Sequence, residues 1–145
     1  MFDELEKYKN KNHFFVNEGD DLEVVCNAPD KPGVFIVYAL VAGRIELVYI
    51  GYSSSHYKEV EGKPITIEFD ILKEEIVNGV IFNKKPNKTT LPAKIVKEKI
   101  DALDIYWYVT LDKKTRDFPE DVERAIMQAH IHIYERLPKW NKLHK

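Results

Sequence analysis

Two runs of β-branched and aromatic residues constrain this chain more than any other feature. Residues 33–40 (GVFIVYAL) and 45–52 (IELVYIGY) are separated only by Val41-Ala42-Gly43-Arg44. Residues of this kind favour extended backbone packed on both faces. So short a connection, with a glycine in it, makes antiparallel pairing the natural topology. A buried β-hairpin over residues 33–53 is therefore the expected centre of the fold.

The remaining elements read around that hairpin. Residues 1–11 are expected as a short charged helix with Phe2, Leu5 and Tyr8 on one face, and residues 21–26 (DLEVVC) as a short strand. Residues 27–33 carry two prolines and a glycine, which is turn chemistry. Residues 53–63 read as loop, and a helix runs from about Asp70 to Asn78, ended by Gly79. After a basic loop over 82–90, Thr89 or Thr90 caps a helix through Ala102, with Pro92 tolerated in its first turn. Residues 105–111 (IYWYVTL) are a third strand. The last helix is the best marked. Asp117 and Glu120 resemble a capping box, Pro119 sits in the first turn, and Val122, Ile126, Ala129, Ile133 and Leu137 form an apolar stripe ended by Pro138. The order from Gly33 is ββααβα. The expected fold class is α/β (α+β): a small three-stranded, antiparallel-containing sheet flanked by helices, with an N-terminal helical extension. Residues 1–30 are expected as an acidic extension packing on a domain of residues 31–145.

Composition narrows the function. With 145 residues, 44% apolar and 32% charged, the chain is globular and sized for one domain. No apolar run approaches the roughly 20 residues of a membrane span, and the charged N-terminus does not read as a signal peptide. Cys26 is the single cysteine, which fits a reducing, cytoplasmic setting. The net charge of −2 hides an asymmetry. Residues 1–30 hold eight acids and three lysines, whereas residues 31–145 hold nineteen basic and sixteen acidic residues. Lys84, Lys85, Lys88, Lys94, Lys97 and Lys99 fall within residues 82–100 against Glu98 alone, a local basic patch suited to nucleic-acid phosphates, or equally a solvated loop and helix face.

Three motifs then align in order. Gly33-Val34-Phe35 opens the first strand, Tyr49-Ile50-Gly51 lies on its partner, and Glu123-Arg124-Ala125-Ile126 is followed by Pro138-Lys139-Trp140-Asn141. Over residues 33–141 the chain resembles the GIY-YIG nuclease superfamily. In that family a motif Tyr deprotonates or orients a water, an Arg after the second motif contacts the phosphate, and a Glu on the late helix holds a divalent metal, usually Mg²⁺. The resemblance implies Tyr49 in the first role and Glu123 as ligand to Mg²⁺ or Mn²⁺, with Gly33, Phe35, Gly51 and Asn141 as structural motif positions. The chemistry is coherent, because the phosphorane transition state gains negative charge that cations offset, and a carboxylate is a natural ligand for Mg²⁺.

The match departs from the pattern at particular places. Phe35 lacks the hydroxyl of the first motif Tyr. No Arg lies between Arg44 and Arg116, so the phosphate contact would pass to Lys58 or Lys73, each a point charge without the guanidinium fork. Glu123 lies eighteen residues before Asn141, a longer spacing than the family's. Helical spacing puts His130 on the flank of Glu123, where an imidazole can assist proton transfer, beside the alternative of a histidine satisfied by the fold. His56 is a comparable candidate, and His130 and His132 point to different sides of the helix. Two functions are expected: a divergent endonuclease cleaving DNA through Tyr49, Glu123, Lys58 and His130 with DNA held by Lys84, Lys85, Lys88, Lys94 and Lys97, or a module of the same fold that binds nucleic acid or a protein partner without cutting it.

Overall fold

The expected hairpin is present. In the computed structural model, which describes residues 2–142, β2 (Gly33–Val41) and β3 (Arg44–Tyr52) pair antiparallel from Val34↔Tyr52 to Val41↔Arg44. The turn between them places Ala42 at φ 50 and Gly43 at φ 78. Two consecutive left-handed residues match the right-handed twist of a tight hairpin. The register slips between Val37 and Tyr38, leaving Val48 as an extra residue on β3. Such a bulge re-aims side chains; here Val48 and Tyr49, though adjacent, both pack on the same core.

The hairpin belongs to a four-stranded antiparallel sheet in the order β1-β6-β2-β3, built with β1 (Lys11–Asn17) and β6 (Ala102–Val109). Strand β1 corrects the expected first helix. Only Asp3–Leu5 form a 3-10 turn, and the chain then extends so that Phe14 and Val16 face inward. The segment expected to pack on the domain thus supplies an edge strand of its sheet. Met1 and residues 143–145, the ends of the two expected segments, lie outside the described residues.

Two further readings are overturned. Residues 21–26 hold the four-residue helix α1 (Leu22–Val25), started by the Asp21 side chain, which accepts from the Glu23 N–H. Residues 53–63 are not simply loop: β4 (Ser55–Lys58) pairs with β5 (Thr66–Phe69) as a separate two-stranded sheet. This hairpin is inserted between β3 and α2 (Leu72–Asn78), so ββααβα does not describe the whole element order. Helix α3 (Asn87–Lys97) starts before the expected threonines and ends before Ala102, which opens β6.

Helix α4 (Pro119–Tyr134) begins with Pro119 as expected, but Asp117 does not cap it. The Asp117 carboxylate instead accepts from the Tyr8 hydroxyl at 2.7 Å and pairs with Lys7 at 2.8 Å. The buried stripe is Val122, Ile126 and His130; Ile133 is exposed, and the helix ends at Glu135 in a left-handed conformation. Helices α1 to α3 cover one face of the sheet, with Leu72, Ile76, Leu91 and Ile95 meeting Val37, Leu103 and Ile105. On the other face, Val122 and Ile126 of α4 join Leu5 and Tyr8 over Val34, Ile36 and Ile50. The described residues form a mixed α/β protein with a four-stranded antiparallel sheet, a two-stranded sheet and four helices.

Candidate functional site

The motif glycines are explained by crowding. A Cβ on Gly33 would collide with the Tyr108 carbonyl of the neighbouring strand, and one on Gly51 would collide with the Phe35 ring. Phe35 is buried and lies 5.9 Å from the Tyr49 ring, centroid to centroid. Beyond β3, which is the sheet's outer strand, the C-terminal segment supplies what a further strand would. The Asn141 side chain accepts from the Ile50 N–H at 2.9 Å and donates to the Ile50 carbonyl at 3.0 Å, and the Trp140 N–H reaches the Val48 carbonyl at 2.8 Å. Buried backbone groups need such partners. The side-chain amide carries one donor and one acceptor in the spacing a peptide presents, and so pairs with both groups of Ile50.

Tyr49 sits half-buried beside this clamp. Its hydroxyl pKa is pushed up to about 12, first by burial and then by the charges of Glu75 and Glu123 and the neighbouring Tyr52 hydroxyl. The Tyr52 hydroxyl is raised by burial and by Glu123, Glu120 and Glu75, with Arg124 acting the other way. The fold therefore brings two hydroxyls from β3 within electrostatic reach of carboxylates from α2 and α4. Glu75 is itself raised by burial, and then by Asp70 and Glu74. Glu120 is anchored by one oxygen to the Ser55 N–H (3.2 Å) and hydroxyl, while its buried second oxygen has no hydrogen-bond partner among the described residues. Sequence reasoning missed Glu75 as a site residue. The available signal was an acid among Leu72, Ile76 and Val77, where a solvated helix face would not be expected.

Other candidates lie elsewhere. Lys58 is ion-paired with Glu68 at 3.1 Å across β4–β5. Lys73 acts electrostatically on Cys26, and its backbone N–H reaches Pro29. His56 Nε2 lies 3.0 Å from Asp70, which raises its pKa. His130 is buried, its Nδ1 3.0 Å from the Arg136 carbonyl, and burial lowers its pKa. Seven residues along α4 separate it from Glu123, roughly 10 Å of helix rise.

No family model, no curated protein and no solved structure matches this chain.

The Tyr49 cluster suits a hard divalent cation more than a bare phosphate, because its charged neighbours are mostly acidic. Among the described residues no group of three or more His, Cys, Asp or Glu is placed to hold a metal ion. Mg²⁺ is often held by only one or two carboxylates, with water and substrate phosphate completing its shell.

The basic run is partly gathered. Lys85, Lys94 and Lys97 line a groove of about 560 Å³ between α3 and the C-terminal segment, while Lys84 and Lys88 are exposed nearby without lining it. Lys94 Nζ lies 4.4 Å from the centre of the Phe82 ring and 2.6 Å from Glu98. Asn83 and Lys84 are both left-handed, at φ 57 and 58, which sets the turn that presents Lys85. No helix among the described residues is long and apolar enough to cross a membrane.

Proposed function

We propose that this chain is a divergent GIY-YIG-like endonuclease that hydrolyses DNA phosphodiester bonds at the Tyr49–Glu123 cluster with one Mg²⁺ or Mn²⁺, in the cytoplasm. The observation that carries the reading is that Tyr49, on the central hairpin, has its hydroxyl pKa raised by burial, then by Glu75, and then by Glu123 of the last helix. The crowded motif glycines, the β3-β2-β6 strand order and the Asn141–Ile50 pairing support the same reading.

Glu123 would hold the metal, and Glu75 also acts on the Tyr49 hydroxyl. When bound, such an ion offsets phosphate charge and acidifies a coordinated water. The chain's own groups do the positioning. With a pKa near 12, Tyr49 keeps its proton at neutral pH, so it acts as a hydroxyl donor that orients water or phosphate and not as a base. Phe35, in the position of the other motif hydroxyl, packs against Gly51 and Tyr49.

A second reading, a module that binds nucleic acid without cutting it, is favoured by one observation: the charges that act on the Tyr49 hydroxyl are those of the acids Glu75 and Glu123. Plasmid nicking in Mg²⁺ or Mn²⁺ by wild type, Glu123→Ala and Tyr49→Phe separates the two. Nicking by wild type that both variants lose supports the enzyme. Wild-type protein that binds DNA but leaves the plasmid supercoiled at every metal concentration sinks it and leaves the module.

A further inference from the structure

The groove beside α3 does not end at Trp140. On the other side of that residue lies a second cavity, about 430 Å³, reaching the tip of the β2–β3 hairpin and lined by Arg44, Glu46, Arg136 and Lys139. The two share Glu98, Lys139 and Trp140, and the first adds Lys85, Lys94, Lys97 and Lys142. Together they present seven cations against two carboxylates.

One of those carboxylates organises cations. Glu98 lies 2.6 Å from Lys94 and 3.6 Å from Lys139. Burial alone would raise its pKa, yet hydrogen bonds and charges from these lysines hold it below the ordinary value. Arg44 and Arg136 make no ion pair among the described residues, so both guanidiniums keep their forks for an external anion. The shared wall, Trp140, is 4% exposed, and its indole N–H has no hydrogen-bond partner among the described residues.

We propose that this two-lobed groove binds the phosphate backbone of a nucleic acid running from α3 across Trp140 to the hairpin tip, with Arg44 and Arg136 as phosphate contacts. The charge and the fork geometry fit phosphodiesters. A second lysine cluster, with Lys7, Lys9, Lys31, Lys113 and Lys114, lacks guanidiniums and aromatic walls. The proposal rests on the nucleic-acid part of the reading above and not on cleavage.

The test is fluorescence anisotropy with a short labelled DNA duplex in EDTA, over a series of KCl concentrations. With EDTA present no metal-dependent cleavage contributes to the signal, which separates the groove from the nuclease assignment. The Arg44→Ala/Arg136→Ala double variant, checked for unchanged circular dichroism, loses at least tenfold in affinity, and its salt slope falls by about two, one per phosphate contact. The Lys113→Ala/Lys114→Ala double variant, with the same loss of charge, keeps the wild-type slope. An unchanged slope in the arginine variant, or a reduced slope in the lysine variant instead, overturns the proposal. A polyglutamate peptide that binds as tightly as DNA, with the same dependence on the two arginines, overturns the choice of nucleic acid as the occupant.

Discussion

Asn141 pairs with both backbone groups of Ile50, accepting from its N–H at 2.9 Å and donating to its carbonyl at 3.0 Å. A single side chain thus completes the outer edge of β3 next to Tyr49.

Asn141→Ala is expected to destabilise the protein by about 2–3 kcal/mol, the cost of leaving two groups of buried Ile50 unpaired. Asn141→Asp keeps the acceptor but sets a charge against the Ile50 carbonyl. It should be at least as unstable at neutral pH and recover in acid, where the carboxyl regains a donor. Urea unfolding midpoints at the two pH values check both.

Gly51→Ala forces a methyl group into the Phe35 ring. Overpacking of this kind costs about 1–3 kcal/mol. Adding Phe35→Leu should restore part of the loss, and a double-mutant cycle would show strong coupling. Strictly additive effects would refute the steric account of this motif glycine.

Glu75→Gln is expected to stabilise the fold at neutral pH in chelator. Burial, then Asp70 and Glu74, raise the Glu75 carboxyl above its ordinary value. The folded state therefore binds this proton more tightly than the unfolded chain, and the carboxylate costs stability as pH rises through the raised value. The variant should be the more stable protein above that value and lose the advantage in acid. Thermal melts across pH give the comparison.

Asp117 has the opposite sign. Hydrogen bonds from Lys7 and Tyr8 hold its carboxyl below the ordinary range. Its contribution is present above the unfolded value, about pH 4, and is lost as pH falls through the lowered one. Tyr8→Phe should cost about 1 kcal/mol at neutral pH, and Asp117→Asn should flatten the acid limb of the stability curve.

The hairpin was legible because its residues are apolar on both faces and its turn is short, and α4 because its first stripe residues, Val122 and Ile126, are truly buried. Strand β1 was not, because the spacing of Phe2, Leu5 and Tyr8 imitates a helix, while Leu5 and Tyr8 reach the core from a turn and its flank. In α1, β-branched residues took a helical turn because Asp21 caps it and Leu22 docks in the core, leaving Val24 exposed. Strands β4 and β5 bury little and are held by backbone pairing, so no hydrophobic alternation announces them. Asn87 is buried and bridges the Ile81 N–H and the Ile76 carbonyl, a duty across the α2–α3 loop that no hydrophobic pattern encodes. Of the candidate site, Tyr49 and Glu123 were named from the family resemblance, whereas Glu75 emerged only once α2 was folded against β2.

Because β6 lies between β1 and β2, the order in which the sheet can be assembled is fixed by translation. A nascent chain can close the β2–β3 hairpin locally, but β1 finds no neighbour until residue 109 has left the ribosome. Until then Phe14 and Val16 have no sheet to cover, and both β1 and β2 offer open edges, the condition chaperones recognise. Truncations upstream of Ala102 should therefore yield aggregation-prone fragments and not a smaller working protein.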